Sequence, residues 1–248
     1  MTRKKNVAAA FGAAAGTYES AAQAQVHAAD RLVELVEGLS LRAQPTVLEV
    51  GCGTGLLTRR LLPKLGGDWV VTDLSPAMVG AAQAELKAPN VAFRTMDGEH
   101  PDVPANLFDL VVSNLAAQWF HDLGRALNRL LACLSPGGTL VLSTLGAGSF
   151  AQWRAAHQRV GQTAGTPPYP TAAELSTLLP EGARIISETI ELSHPDAHAF
   201  LDSLRRVGAT VPAPGHTPLS PGQLRKVMRS LGAPTIVSYE LLFIVVKA

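Results

Sequence analysis

The chain of 248 residues has only two cysteines, Cys52 and Cys133. They stand far apart and outside any C-x-x-C, so a disulfide framework is not expected, and a reducing cytoplasm is the simplest setting. Neither sign of charge is in excess: 21 Lys and Arg face 20 Asp and Glu. That balance argues against general nucleic-acid binding through phosphates. The basic start Met1-Thr2-Arg3-Lys4-Lys5 leads into small residues rather than an apolar segment, so neither a signal peptide nor a membrane span is expected. The seven histidines include no H-E-x-x-H or comparable ligand cluster, and no metal is expected. Internal repeats are missing too. What remains is 47% hydrophobic residues, enough for a sizeable core, in a length that suits one α/β domain with insertions.

The informative stretch is Thr46-Val47-Leu48-Glu49-Val50 running straight into Gly51-Cys52-Gly53-Thr54-Gly55. Glycine has no Cβ, so three of them at alternate positions permit a tight turn that holds a ligand against main-chain amides. Apolar residues at Leu57, Leu61, Leu62 and Leu65 follow at helical spacing, with Pro63 expected to end or kink that helix near its last turn. The loop thus joins the carboxyl end of a strand to the amino end of a helix, where open α/β sheets bind ligands. A second apolar run, Trp69–Thr72, closes in Asp73, near the roughly 20-residue spacing expected of an acid that grips ribose hydroxyls. The G-x-G-x-x-G of a dinucleotide site is lacking, which disfavours a dehydrogenase. Glu49 would be an unwelcome charge beside a pyrophosphate but suits an ammonium. S-adenosyl-L-methionine carries an ammonium and no phosphate.

Strand and helix patterns alternate through the first two thirds of the chain. Helices are expected over Ser20–Glu37, Leu56–Leu65, Pro76–Leu86 (Ser75 as N-cap) and Leu123–Leu134 (capped by Asp122), with strands at Val47–Val50, Trp69–Thr72, Val91–Thr95 and Phe108–Ser113. Ser135-Pro136-Gly137-Gly138 is expected to turn into a strand over Thr139–Ser143. Such a βαβα succession implies a parallel sheet with helices on both faces. Beyond Thr144, helices are expected at Phe150–Val160, Thr171–Leu179, Ala197–Val207 and Gln223–Leu231, and strands at Arg184–Leu192 and Ile236–Val246. Residues 1–40, 149–182 and 195–232 are additions that can cover the cofactor edge and shape a substrate pocket.

Glu49–Gly55, Thr72-Asp73-Leu74-Ser75-Pro76-Ala77-Met78 and Leu134-Ser135-Pro136-Gly137-Gly138 together resemble class I S-adenosylmethionine-dependent methyltransferases. More closely, the chain resembles the malonyl-acyl-carrier-protein O-methyltransferases of biotin synthesis. The segments that carry this are Phe11–Ala15 with Thr17-Tyr18-Glu19 and Ala22–Gln25, Ser113–Trp119, Ser203-Leu204-Arg205-Arg206-Val207-Gly208-Ala209-Thr210, Leu219–Leu224 and Tyr239–Phe243. The resemblance implies a Rossmann-like α/β fold: a mostly parallel seven-stranded sheet with an antiparallel last strand, helices on both faces and helical cap insertions. The whole chain is then one methyltransferase domain, with an amino-terminal helical cover (1–40), a cofactor-binding core (44–146), cap or substrate insertions (149–182 and 195–232) and a final strand (234–247). The reaction implied is methylation of the free carboxylate of a malonyl thioester, on acyl carrier protein or coenzyme A, with S-adenosyl-L-homocysteine as the other product.

Residue by residue, the resemblance places Glu49 near the methionine end of the cofactor beside Gly51, Cys52, Gly53 and Gly55, and Asp73 on the ribose. It sets Asp97 and the Gly98 amide at the adenine amino group, Leu74 and Met78 against the adenine, and Asn114 and Leu115 by the methionine portion. Asp97 also reads as a turn residue in Met96-Asp97-Gly98, and Met78 as core. A carboxylate is already ionised at neutral pH, so it needs positioning more than a base. Tyr18, Gln118, Trp119 and Arg205 are the candidate donors, with cap packing the alternative for Trp119 and a solvated helix face for Arg205. Arg205, Arg206, Arg225, Lys226 and Arg229 read either as ordinary solvated surface or as a docking surface for an acidic carrier. A methyltransferase acting on a small carboxylic acid such as aconitate, or a non-catalytic cofactor-binding protein, would share the glycine loop.

Overall fold

In the computed structural model, which describes residues 3–248, the apolar runs become seven strands. They are β1 (Thr46–Val50), β2 (Asp68–Asp73), β3 (Val91–Thr95), β4 (Phe108–Ser113), β5 (Leu134–Leu145), β6 (Arg184–His194) and β7 (Thr235–Lys247). Met1 and Thr2, part of the expected amino-terminal cover, lie outside the described residues. The strands form one sheet in the order β3-β2-β1-β4-β5-β7-β6. Neighbours from β3 to β5 run parallel, whereas β7 is antiparallel to both β5 and β6. The order reverses between β1 and β4, and the crevice outside the strand ends at such a switch point is where ligands bind in open α/β sheets.

Nine helices flank the sheet among the described residues: α1 (Arg3–Ala14), α2 (Gln23–Glu37), α3 (Thr58–Leu65), α4 (Pro76–Glu85), α5 (Leu123–Ala132), α6 (Ala151–Arg159), α7 (Ala172–Thr177), α8 (Ala197–Arg206) and α9 (Pro221–Leu231). Side chains alternate across a strand, so the central strands feed two cores. Val47, Val71, Val112 and Phe243 pack with Leu32 and Val36 of α2 and Leu61 of α3. Leu48, Val50, Val111 and Leu142 pack with Leu127 and Leu130 of α5 and Leu175 of α7. No helix among the described residues is long and apolar enough to cross a membrane.

Four expectations are corrected. The helix expected over Leu123–Leu134 ends at Ala132, because Cys133 caps it and Leu134 already pairs with Phe108. Ser135–Gly138 is therefore not a separate turn: it is the irregular start of β5, absorbed by a register shift between Phe108 and Leu110. Ser20 to Ala22 lie outside α2, and Ser75 flanks α4 without a side-chain capping bond. Asp122 does cap α5, its carboxylate accepting from the Arg125 amide. Pro63 sits in the last turn of α3, which Gly66 ends three residues later.

Candidate active site

The glycine loop folds over the end of β1. Gly51, Gly53 and Gly55 all take positive φ (73°, 55° and 86°), a region costly for other residues. At Gly51 the need is steric as well, since a Cβ there would stand 2.3 Å from that of Ala116. The Gly51 and Cys52 amides donate to the Thr72 carbonyl at 2.8 and 2.9 Å, tying the loop to β2. Asp73, at the end of β2, accepts from the Gly53 amide at 2.9 Å and the Ser75 amide at 2.8 Å. Burial pushes the Asp73 carboxyl up from its ordinary value, and those amides oppose it.

A recess of about 80 Å³ opens above the loop. Gly51, Gly53, Asp73, Leu74, Asp97, Gly98, Asn114 and Leu115 line it, with Tyr18 and Trp119. Eight of the twelve residues expected around the donor thus meet in one recess, whereas Glu49, Cys52, Gly55 and Met78 stand outside the lining. Alternation along β1 turns Val50 toward the recess and Glu49 toward α3, where its carboxylate accepts from the Thr58 hydroxyl at 2.5 Å. Burial pushes the Glu49 carboxyl up to about 8 against the pull of that hydroxyl, with Asp73 adding to the rise. Met78 packs with Tyr18, Ala22 and Val207 in a small core under the cover. Gly55 closes on Leu86 and Ala82 of the α4 end, and the Cys52 thiol is buried and pushed up by desolvation.

The amino-terminal cover reaches into this recess. Lys4, Val7 and Phe11 of α1 line it. The Lys4 ammonium donates to Asp97 at 2.6 Å and also pairs with Glu99. Glu99 is further held by the His121 and Asp122 amides at 2.8 and 2.7 Å. The Tyr18 ring lies 3.8 Å from where a Gly53 Cβ would be, and burial pushes its phenol up.

Beside the recess lies a cavity of about 740 Å³. Phe11, Leu115 and Trp119 line both, so the two spaces meet there. Leu115 adopts φ 47°, a strained conformation for a branched residue. Its amide donates to Ser143 Oγ, which donates to Asn114 Oδ1, each at 3.0 Å. Asn114 Nδ2 in turn donates to the Gln25 carbonyl at 3.0 Å, anchoring α2 on the strand ends. Gln118 lines the large cavity and donates to the Leu115 carbonyl, leaving Oε1 without a partner among the described residues. Trp119 stacks edge-on with Phe11 at 5.3 Å. Arg205 stands in the cavity wall on α8, far from the glycine loop in sequence, and lines the large cavity but not the recess.

Residues 48–142 match the family model described as "Methyltransferase domain". The bifunctional biotin biosynthesis protein BioCD of Bordetella avium is 46% identical over 226 residues, covering 91% of this chain and 48% of that protein, so the chain spans about half of that relative's length. The malonyl-[acyl-carrier protein] O-methyltransferase of Magnetococcus marinus is 38% identical over 233 residues, covering 92% of this chain and 86% of that protein. The chain belongs to the malonyl-[acyl-carrier protein] O-methyltransferase family. It is an enzyme of the methyltransferase fold, which it shares with the YcgJ protein of Bacillus subtilis (TM-score 0.66, 17% identity, 89% of this chain and 97% of that one).

Within this family member, several residues that shape the site escaped sequence reasoning. Lys4 and Phe11 sit in a segment with no apolar stripe to announce a helix. Phe150, Tyr169, Phe200 and Tyr239 gather around the large cavity from four separate elements. Phe11 and Tyr239 carried a signal, as the first residues of the matching segments Phe11–Ala15 and Tyr239–Phe243.

Proposed function

We propose that the protein methylates the free carboxylate of a malonyl thioester presented by an acyl carrier protein, with S-adenosyl-L-methionine as donor. The observation that carries this reading is the pair of adjoining spaces: a recess at the switch point, ending in Asp73 and Asp97, that opens at Phe11, Leu115 and Trp119 onto a much larger cavity. The residues fit the donor. Asp73 can accept from ribose hydroxyls, the Gly98 amide and Asp97 can meet the adenine amino group, Leu74 offers an apolar face, and Asn114 and Leu115 flank the methionine portion. The recess of about 80 Å³ falls short of the roughly 300–1,000 Å³ of ordinary ligand sites. Lys4, Val7 and Phe11 take up part of the space, so admission of the donor requires α1 to shift and Lys4 to release Asp97.

When bound, S-adenosyl-L-methionine supplies a sulfonium methyl group to the carboxylate oxygen and leaves as S-adenosyl-L-homocysteine. No protein base is required, because the acceptor is already an anion. The chain's task is to bring the carboxylate in line at the Phe11–Leu115–Trp119 junction and to keep water out, and Tyr18 and Trp119 close that junction. The large cavity accommodates the thioester arm. Arg205 and Arg206, at its wall on α8, and Arg225, Lys226 and Arg229 of α9 offer cations to an acidic carrier. In this reading residues 3–40 cover the donor, 44–146 hold it, and 149–182 with 195–232 build the acceptor side, in a protein working in the cytoplasm.

Labelled S-adenosyl-L-methionine, offered with malonyl-loaded carrier protein beside malonyl-coenzyme A, acetyl-loaded carrier and free malonate, tests the reading. Label is expected on the malonyl thioesters and not on the acetyl carrier. Label on free malonate alone would replace this reading with a small-molecule one.

A further inference from the structure

The acceptor carboxylate needs donors near the junction of the two spaces, and the large cavity offers a pair of phenols. Because β7 runs antiparallel, its first residues stand at the same sheet edge as the ends of β1, β4 and β5. The register pairs Leu241 with Leu145, the last residue of β5, so Tyr239 projects beyond that strand over the ligand edge. Its ring packs edge-on against Phe150 at 4.8 Å and is 7% exposed. Tyr169 comes from the loop before α7, which is fastened to the end of β5 by the Ala147 amide donating to the Pro170 carbonyl at 3.0 Å. Its ring lies 6.1 Å from Phe150 on the same cavity wall. Neither hydroxyl bonds to a described residue, and neither is among the polar atoms sealed without a partner; both side chains line the large cavity, and Tyr169 also borders a second pocket beside Arg154.

Two guanidiniums stand behind this wall. Arg154 donates to the Ala147 carbonyl at 2.7 Å and to that of Ser149. Arg3 donates to the Trp119 carbonyl at 3.4 Å and lies 5.6 Å over the Trp119 ring. Both are bonded to carbonyls, and neither forms an ion pair with a described acid. Both positive charges reach Tyr169, yet burial outweighs them and keeps the phenol a neutral donor. The nearest acid in sequence, Glu240, turns to the other side of β7, where it accepts from the Gly148 amide at 2.6 Å and from Ser187 at 3.1 Å.

We propose that the hydroxyls of Tyr169 and Tyr239 donate to the carboxylate that receives the methyl group, within the positive field of Arg3 and Arg154. This rests on the carboxyl-methylation reading above. Neutral donors suit the reaction better than a guanidinium in contact, since a cation gripping the carboxylate would also repel the sulfonium beside it. They also release the product readily. Once esterified the acceptor is uncharged, and the bonds lose their charge-assisted part. Arg205, on the outer part of α8, is then left for the carrier rather than the carboxylate.

Tyr169→Phe and Tyr239→Phe keep the rings and remove only the hydroxyls. Each is expected to lower kcat/KM for malonyl-loaded carrier roughly 10- to 100-fold, with the Kd for S-adenosyl-L-methionine and the melting temperature unchanged. Wild-type kcat/KM in both variants would overturn the assignment while the reading of the reaction stands. Loss of cofactor affinity and melting temperature in step with activity would likewise overturn it, as the mark of a packing role. A wild-type enzyme that labels no malonyl thioester would overturn the reaction itself, and the carboxylate grip with it.

Discussion

Glu49→Gln should remove most of the decline in stability between pH 5 and pH 8. Glu49 is 1% exposed, and burial raises its carboxyl from 4.5 to about 8. The unfolded chain gives up this proton near its ordinary value, while the folded chain keeps it until about 8. Protonated Glu49 therefore favours the folded state fully at low pH. That contribution fades as pH rises above 4.5 and is gone once the folded carboxyl ionises near 8. The slope is about 1.4 kcal/mol per pH unit, and the interval from 4.5 to about 8 amounts to roughly 5 kcal/mol in all. Asp73, also raised by burial, adds to the same trend. Glutamine keeps an oxygen for the Thr58 hydroxyl and does not titrate. Urea unfolding of both proteins at pH 5, 6, 7 and 8 measures the difference. Near-equal stability at pH 5 and a variant more stable by several kcal/mol at pH 8 is expected. A gap between the two proteins that does not change with pH would refute the reasoning.

Gly51→Ala combines a left-handed backbone, worth about 1–2 kcal/mol, with a Cβ placed 2.3 Å from that of Ala116, and should reduce cofactor affinity more than tenfold by calorimetry; unaltered binding would mean the loop is freer than it looks. Lys4→Ala removes the tie from α1 to Asp97 and Glu99, so cofactor association followed by stopped flow should become faster, and an unchanged rate would show that α1 does not limit entry. Arg205→Ala should raise KM for loaded carrier several-fold and flatten its dependence on ionic strength, while turnover of malonyl-coenzyme A stays the same; equal effects on both substrates would assign Arg205 to the thioester arm instead.

Much of the sheet is legible from sequence because each central strand is buried on both faces and reads as a short apolar run between turn residues. The beginning of β5 is not, since Ser135-Pro136-Gly137-Gly138 has turn composition and is held in the sheet by β4 on one side and by the Ala248 amide donating to the Gly138 carbonyl on the other. Helix α1 is also hidden: it buries only Val7 and Ala14, so its pattern carries no apolar stripe. The donor recess is legible because the glycine spacing, Asp73 and Asp97 are local features of consecutive strand ends. The side on which Glu49 falls follows from counting along β1, yet proximity to the loop in sequence points the other way. Tyr169 has no such local mark, and Tyr239 is marked only as the head of the segment Tyr239–Phe243. Their meeting depends on β7 turning back along β5 and on one backbone bond, Ala147 to Pro170.

The two halves of the site differ in construction, and α1 joins them. Every strand end that shapes the donor recess lies between Val50 and Ser113, whereas the acceptor cavity takes its wall from α2, α6, α8, β7 and the loop before α7. A single residue of α1, Phe11, contributes to both. Any shift of α1 that admits the donor therefore moves a wall of the acceptor cavity. Binding at the two places is thermodynamically linked to whatever extent that wall discriminates the two positions of α1, and the linkage acts equally in both directions. On the proposed assignment of the two spaces, the element that covers the donor is thus also the one that couples it to the acceptor.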